Sequence, residues 1–271
     1  MGRRRLGISL ACRRLGARLV IIGIKMHAIT LNNLTLGYER HPAVHHLSGV
    51  FEPGSMTAVI GPNGSGKSTL LKGITGILRP LGGSIDRGGL KTSQIAYLPQ
   101  MLEIDRSFPI TVLDIVILGL WRDIGIFGGM KRDLWQRVEQ ALTTVGLEGF
   151  EARAISNLSG GQFQRVMFAR MLLRDSPVVV LDEPFTSIDA QTTLDLFAVI
   201  QRWHIENRTI IAVLHDFDQV RAYFPQTLLL ARDLVGWGAT DQVLTEANLL
   251  LSRRMSEAWD ESAAVCEENA A

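Results

Sequence analysis

Residues 61–69 constrain this chain more than any other segment, because they match the pattern G-x-x-x-x-G-K-[ST]. An apolar run over 56–60 precedes them and is predicted to be a β-strand, and residues 70–78 are predicted to form a helix. Glycines in such a loop let successive backbone N–H groups turn towards an anion, and the helix that follows adds the positive end of its dipole. The chain is therefore predicted to be an α/β protein that binds a nucleotide through its phosphates.

The residue types within this loop indicate how the nucleotide would be held. Lys67 is placed for the β- and γ-phosphates, and the Ser68 hydroxyl is placed for Mg²⁺. The pattern defines the class of ligand, but it does not separate kinases, GTPases and transport ATPases. The predicted nucleotide-binding residues of the loop are Gly61, Pro62, Asn63, Gly64, Ser65, Gly66, Lys67, Ser68 and Thr69.

Two further apolar runs end in residues that suit phosphate chemistry. Residues 178–181 are typical of a strand buried on both faces of a parallel sheet, and Asp182 and Glu183 follow at its carboxyl end. There Asp182 can hold the Mg²⁺ shell, while Glu183 can accept a proton from an attacking water. A run over 209–214 ends at His215, which could hydrogen-bond a γ-phosphate, although a lone histidine after a strand is more often structural.

A glycine pair at the start of a predicted helix indicates a second phosphate contact. Ser159 is a suitable N-cap for this helix, and Gly160, Gly161 and Gln162 follow it. Glycine inside a helix is less favourable than alanine by about 1 kcal/mol. Two glycines at this place therefore indicate that another group approaches the backbone closely, as a phosphate at a helix N-terminus would.

Charge and composition exclude several classes of protein. The chain has 271 residues and contains no run near the roughly 20 apolar residues that span a bilayer. Residues 1–25 carry seven basic residues and no acid, which leaves 21 basic against 27 acidic residues in the rest of the chain. This excess of acids argues against a nucleic-acid surface. Only Cys12 and Cys266 occur, so neither a disulfide framework nor a zinc knuckle is indicated.

Both ends of the chain are expected to lie outside the folded domain. The basic leader, 1–27, fits neither a signal peptide nor a transit peptide, and it is expected to be disordered or to precede the native start at Met26. The final segment, 252–271, is acidic and is expected to be a solvated tail. The folded domain is then expected over 28–251.

In their order along the chain, these motifs resemble those of the ATP-binding cassette (ABC) ATPases. The resemblance covers residues 29–251 and is highly specific, because several motifs occur in the family's order without a departure from its pattern. The matching segments are Walker A at 61–69, the Q-loop at 97–100, the signature at 158–162, Walker B at 178–184, the D-loop at 187–190 and the switch histidine at 215.

The resemblance implies roles for individual residues and implies ATP and Mg²⁺ as cofactors. Tyr38 would stack on adenine, although an aromatic residue near a strand end often only packs. Gln100 would contact Mg²⁺ or the lytic water, Glu183 would be the general base, and His215 would contact the γ-phosphate. The residues implied near the metal are Ser68, Gln100 and Asp182.

The resemblance also implies an architecture and a set of partners. It implies an α/β P-loop core with a mainly parallel sheet, an antiparallel β portion from Ile29 and around 84–85, and a helical subdomain inserted at about 101–157. Helical spacing within the insertion favours helices over 111–120 and 133–142, and a hairpin is predicted around 228–237, followed by a short helix near 240. Two cassettes would form a head-to-tail homodimer, in which Ser159, Gly160, Gly161 and Gln162 act on the partner's ATP.

The leading hypothesis for function is the ATPase subunit of a metal importer. The insertion at 105–114 resembles that of zinc and manganese importers, with zinc preferred, and siderophore or cobalamin importers are the alternative. A soluble ABC ATPase that acts on ribosomes or DNA is less favoured, since the chain has a single cassette and no coiled-coil insertion. The other expected partners are integral membrane permease subunits and an extracytoplasmic binding protein, with no nucleic acid, at the cytoplasmic face of the inner membrane.

Two smaller groups of residues leave alternatives open. Phe108, Trp121 and Phe127 could form a groove for a permease helix, or they could fill the core of the subdomain. A second group, His41, His45 and His46, suggests a metal site, but histidines without supporting carboxylates or thiols are more often surface residues.

Overall fold

The computed structural model describes residues 27–39, 41–100, 104–125, 128–186 and 188–257. Most of the expected leader, the end of the acidic tail and both cysteines lie outside these ranges. So do Phe127 of the expected groove and Ser187 of the D-loop.

Nine strands, nine α-helices and three short 3₁₀ helices make up the regular structure of the described residues. None of these helices is both long and apolar enough to cross a bilayer. The strands are β1 (Ile29–Tyr38), β2 (His41–Phe51), β3 (Met56–Ile60), β4 (Gly82–Asp86), β5 (Ile95–Leu98), β6 (Val178–Asp182), β7 (Thr209–Val213), β8 (Gln226–Ala231) and β9 (Asp233–Ala239). The helices are α1 (Lys67–Ile74), α2 (Val112–Ile117), α3 (Trp121–Ile124), α4 (Arg132–Thr144), α5 (Gly160–Leu173), α6 (Ala190–Ile205), α7 (Phe217–Tyr223), α8 (Thr240–Val243) and α9 (Glu246–Glu257).

A six-stranded sheet lies at the centre of the fold, in the order β5-β6-β7-β3-β8-β9. Its first five strands are parallel, and β9 pairs antiparallel with β8 as the return of a hairpin. Every residue of β3, β6 and β7 is buried, which confirms the three apolar runs as central strands. Because the carboxyl ends of parallel strands meet at one edge, the loops that follow these strands are neighbours.

The two faces of the central sheet are covered by different layers. Alternation along β3 shows the division, since Met56, Ala58 and Ile60 belong to one apolar cluster and Val59 belongs to the other. The first cluster also contains residues of α2, α4, α5 and α6, whereas the second contains residues of α1, β1 and β2. This layered arrangement confirms the predicted α/β class.

A smaller antiparallel sheet, in the order β2-β1-β4, packs on the second face. It contains the strands expected at Ile29 and around 84–85. Trp237 of β9 contacts Phe51 of β2, with 4.6 Å between the ring centroids, and a Cβ at Gly49 would lie 2.4 Å from the Trp237 ring. The absence of a side chain at Gly49 therefore lets the two sheets join closely at this edge.

The insertion between the Q-loop and the signature contains α2 and α4, which the helical spacing predicts, and the short α3, which it does not. Thr111 and Asp114 form a capping box at the start of α2, in which each side chain accepts a hydrogen bond from the backbone of the other. Thr111 also pairs with Ala154, so the two ends of the insertion lie side by side. The predicted hairpin and the short helix after it are present as β8, β9 and α8.

Two boundaries differ from the sequence-based expectation. Helix α1 begins at Lys67 rather than at residue 70, because Gly66 in the left-handed conformation starts it directly after the loop, and it ends at Ile74 before the left-handed Gly76. Helix α9 continues to Glu257, so the expected domain end at Leu251 falls inside a helix. Ser252, in the segment expected to be a solvated tail, is only 3% exposed, and its hydroxyl donates to the Leu249 carbonyl.

Candidate nucleotide site

The phosphate loop joins β3 to α1 and places its lysine against its own backbone. Gly61, Gly64 and Gly66 have φ angles of 152°, 76° and 91°, in the region that favours glycine. At Gly66 a Cβ would also lie 2.3 Å from the Ala43 carbonyl oxygen. Lys67 Nζ donates hydrogen bonds to the carbonyl oxygens of Gly61 and Pro62, at 3.0 and 2.8 Å. The ammonium group thus lies inside the curve of the loop.

Burial makes this lysine a strong receptor for an anion. Lys67 is 6% exposed; burial lowers the pKa of its ammonium group, and the nearby charges of Glu183 and Asp182 oppose that lowering. A buried cation gains stability from an anionic partner, which the phosphates of a nucleotide would supply. In the same loop, Ser65 Oγ is buried without a hydrogen-bond partner among the described residues.

The end of β6 lies beside the first turn of α1. Ser68 Oγ donates to Asp182 Oδ1 at 3.1 Å, and the Tyr97 hydroxyl donates to Asp182 Oδ2 at 3.4 Å. Asp182 is 1% exposed. Mg²⁺ prefers oxygen ligands and usually takes one or two from the protein, so the donor set of Ser68 and Asp182 suits it.

Three separate loops converge on the carboxylate of Glu183. Gln100 Nε2 donates to Glu183 Oε2 at 2.9 Å, and Thr186 Oγ1 donates to the same oxygen at 3.2 Å. His215 Nε2 lies 2.6 Å from Glu183 Oε1. The three residues predicted to be catalytic, at positions 100, 183 and 215, are therefore in direct contact.

Backbone strain and charge both mark Glu183 as unusual. Its φ of 50° lies in the left-handed region, which costs a non-glycine residue on the order of 1–3 kcal/mol and is common at functional sites. Burial raises the pKa of its carboxyl group, but the hydrogen bonds from His215, Gln100 and Thr186 and the charge of His215 together bring the pKa below its ordinary value. The carboxylate is therefore ionised at neutral pH, as a proton acceptor must be.

The signature residues lie apart from this cluster. Ser159 caps α5, with its hydroxyl accepting a hydrogen bond from Gln162 N and the Gln162 side chain accepting one from Ser159 N. Residues 159–162 line a cavity of about 510 Å³, which Asp189 and Arg165 also line. Among the described residues that line this cavity, none belongs to the phosphate loop or to the Glu183 cluster.

Tyr38 lies at the carboxyl end of β1 and is 49% exposed. It lines a cavity of about 420 Å³ together with Lys72, Tyr97 and Pro99. A half-exposed ring at a cavity has room for a planar ligand on one face. This position is compatible with adenine stacking, which stays a prediction.

Sequence reasoning missed several contacts around the site. Thr186 lies three residues after Glu183. The only sequence feature that could have predicted its contact with Glu183 is a hydroxyl residue at this spacing. Gln164, which is 1% exposed, donates to the Pro184 carbonyl at 2.7 Å and so joins α5 to the loop after β6. Tyr97 lies in the predicted Q-loop, but no sequence pattern predicts its contact with Asp182.

The three histidines of β2 form no recognisable metal centre. Two of them, His41 and His46, are exposed, and the His46 ring bonds the side chain of Asn33 at 3.0 Å. Among the residues that the structure describes, no group of three or more His, Cys, Asp or Glu side chains could hold a metal ion.

Comparison with known proteins identifies the family. A family profile described as ABC transporter matches residues 44–186. The manganese transport system ATP-binding protein MntB of Listeria monocytogenes is 36% identical over 223 residues, which are 81% of this chain and 93% of that protein. MntB of Bacillus subtilis is 35% identical over 228 residues, 83% of this chain and 91% of that protein.

Solved structures of ABC transporter proteins are also similar to this chain. A metal-chelate type ABC transporter in an inward-facing conformation is 31% identical with a TM-score of 0.74, over 84% of this chain and 89% of that one. The same fold is found in a nucleotide-free ATP-binding cassette from an ABC transporter, which is 22% identical with a TM-score of 0.70. The match covers 84% of this chain and 99% of that chain. The motifs, the fold and the relatives agree, and the chain belongs to the ABC transporter family as one of its ATP-hydrolysing subunits.

Proposed function

We propose that this chain drives a membrane importer for a divalent transition metal, with manganese as the first candidate and zinc as the second. The observation that carries the proposal is the similarity to manganese transport ATP-binding proteins, at 36% and 38% identity over about four-fifths of the chain. Sequence reasoning preferred zinc, and the names of the relatives reverse that order. A metal chelate is the alternative cargo, because the 31% identical solved structure is a metal-chelate type transporter.

ATP and Mg²⁺ fit the donor groups at the phosphate loop. Lys67 and the loop amides of residues 61–69 would hold the phosphates, and Tyr38 would stack on the adenine. Ser68 and Asp182 would hold Mg²⁺, with Gln100 as a further contact. When bound, Mg²⁺ neutralises charge on the phosphate oxygens.

Hydrolysis would depend on Glu183 as the general base. Its ionised carboxylate can take a proton from a water that attacks the γ-phosphate. The hydrogen bonds from Gln100 and Thr186 hold Oε2, and the contact with His215 holds Oε1, so the carboxylate has one orientation. His215 would also reach the γ-phosphate, which makes it a link between the base and the ligand.

A head-to-tail homodimer would complete each site. The residues at the start of α5 line a cavity that no described residue of the chain's own phosphate loop lines, so we infer that their partner is the nucleotide of a second copy. Ser159, Gly160, Gly161 and Gln162 would then act in trans.

The permease would dock on the insertion between the Q-loop and the signature. Phe108 and Trp121 are 63% and 58% exposed. This exposure favours a role in a groove for a permease helix over a role in the core of the subdomain. Such docking implies a peripheral position on the cytoplasmic face of the membrane. An extracytoplasmic protein would select the cargo, so this chain would not itself bind the transported metal.

The test is metal uptake in cells that lack the gene. Wild-type protein should restore accumulation of radioactive manganese, Glu183→Gln should not, and the exposed Glu52→Gln should behave as wild type because it follows β2, outside both the site and the insertion. Cellular manganese and zinc would both be measured by mass spectrometry. Unchanged content of both metals, with loss of chelate uptake, would replace the first proposal by the alternative.

A further inference from the structure

A single arginine joins the segment after the Q-loop to the signature. Arg106 Nη2 donates a hydrogen bond to the carbonyl oxygen of Ile155 at 3.2 Å and a second, short one to that of Leu158. The Arg106 guanidinium also lies over the Phe163 ring, 4.8 Å from its centroid. Leu158 directly precedes the N-cap Ser159, and Phe163 is in the first turn of α5. Arg106 therefore contacts the chain on both sides of the signature residues.

The turn that contains Arg106 and the aromatic ring under its guanidinium are both held in place by further contacts. Asp105 accepts hydrogen bonds from the backbone N–H and the hydroxyl of Ser107 at 2.8 and 2.7 Å, which fixes the turn that presents Arg106. On the other side, Phe163 is fully buried, so the aromatic surface under the guanidinium does not move freely. A planar group with two hydrogen bonds and an aromatic contact holds a more defined position than an ammonium group would.

The positive charge of Arg106 lies beside the N-terminus of α5, where it is unfavourable for the helix alone. A helix N-terminus carries a partial positive charge, so a cation beside it is unfavourable for the isolated helix. An anion at the same N-terminus would be stabilised by both groups. In addition, Arg106 Nε is buried without a hydrogen-bond partner among the described residues, which is unusual for a charged group. An anion bound in front of α5, without contact to the guanidinium, would offset the unfavourable charge at this helix N-terminus.

We propose that Arg106 is a positioning residue of the signature: it orients the N-terminus of α5 towards the γ-phosphate bound by the partner subunit. It does not touch the nucleotide; it acts through the carbonyls of Ile155 and Leu158 and through Phe163. The inference rests on the head-to-tail dimer of the proposed function. It goes beyond that function by giving the signature a support outside its own motif.

The first experiment compares variants of the full chain as homodimers. Arg106→Met keeps an apolar stem over Phe163 but loses the donors, and it should lower kcat about 10- to 100-fold with ATP affinity unchanged, because misplacement by about 1 Å has effects of this size. Arg106→Lys keeps the charge but not the planar fork and should be intermediate. Arg153→Met is the matched control, since Arg153 lies over the Phe150 ring at 3.8 Å in the same region. A kcat within about twofold of wild type for Arg106→Met would overturn the proposal.

The second experiment asks which of the two sites Arg106 serves. In a dimer purified through two tags, one chain carries Lys67→Ala, so that the working site combines its signature with the phosphate loop of the other chain. Arg106→Met on the Lys67→Ala chain should lower hydrolysis about as strongly as in the homodimer, whereas the same change on the other chain should have little effect. A merely structural role would lower hydrolysis equally for both placements, which would overturn the proposal.

The same dimer separates this inference from the function on which it rests. Ser159→Arg should be harmful on the Lys67→Ala chain and nearly neutral on the other. If placement has no effect for Ser159→Arg, the composite dimer itself is wrong. If placement has an effect for Ser159→Arg but not for Arg106→Met, the dimer holds and only the role of Arg106 is refuted.

Discussion

At the residue scale, Glu183 is where the proposed chemistry can be tested most directly. A general base acts in the transition state, whereas Lys67 and the loop amides hold the ground state. Glu183→Gln should therefore lower turnover by roughly 100- to 10,000-fold while ATP is still bound. Lys67→Ala should instead weaken ATP affinity, measured by titration with a fluorescent analogue. Near-normal turnover of Glu183→Gln would remove this residue from the mechanism.

The lowered pKa of Glu183 gives a second test at this scale. Because the folded protein favours the ionised form, the carboxylate stabilises the fold above the ordinary pKa of 4.5, and this contribution is lost as the pH falls through the lower folded value. The stability that wild type gains over Glu183→Gln from this carboxylate should therefore be lost as the pH falls below about 4.5. Urea titrations above and below this pH would measure the loss. A stability difference between the two proteins that stays the same at every pH would contradict the lowered pKa.

At the scale of elements, the phosphate loop shows how backbone conformation and packing act separately. Gly64 and Gly66 both have positive φ, but a Cβ at Gly64 would contact nothing within 4 Å, whereas at Gly66 it would overlap the Ala43 carbonyl. Gly64→Ala should cost about 1–2 kcal/mol from conformation alone. Gly66→Ala should cost a further 1–3 kcal/mol or so, because β2 or α1 must shift. Denaturant unfolding without nucleotide would compare them, and equal losses would show that the overlap relaxes freely.

At the scale of the whole molecule, the chain carries two halves of a site on different surfaces. The Lys67 cluster and the Ser159 cavity share no lining residue among those described, so variants in the two halves should complement each other. An equal mixture of Lys67→Ala and Ser159→Arg subunits should recover up to about a quarter of wild-type hydrolysis, since half of the dimers are mixed and each has one intact site. A mixture that stays inactive, although mixed dimers are shown by mass spectrometry, would mean that each chain hydrolyses ATP with its own residues.

Sequence patterns alone were enough to predict the class of fold, and they also named most of the candidate site residues. Local interactions explain this success, since the strand before the loop at 61–69, the cap at Ser159 and the buried run at 178–181 depend only on neighbouring residues. The same local reasoning misplaced the ends of α1 and the end of the folded domain. Helix ends depend on contacts with distant parts of the chain, and α9, which carries the buried Ser252, packs against β8 and β9.

Which residues come into contact at the site depends on the three-dimensional fold. Gln100, Glu183 and His215 are far apart in the chain, and they converge because β6 lies between β5 and β7 in the sheet. That strand order depends on hydrophobic burial over the whole core, and no local pattern encodes it. Arg106 is a similar case: a single arginine in a loop has no periodicity, and its contact with the signature exists because the insertion folds back on its own ends.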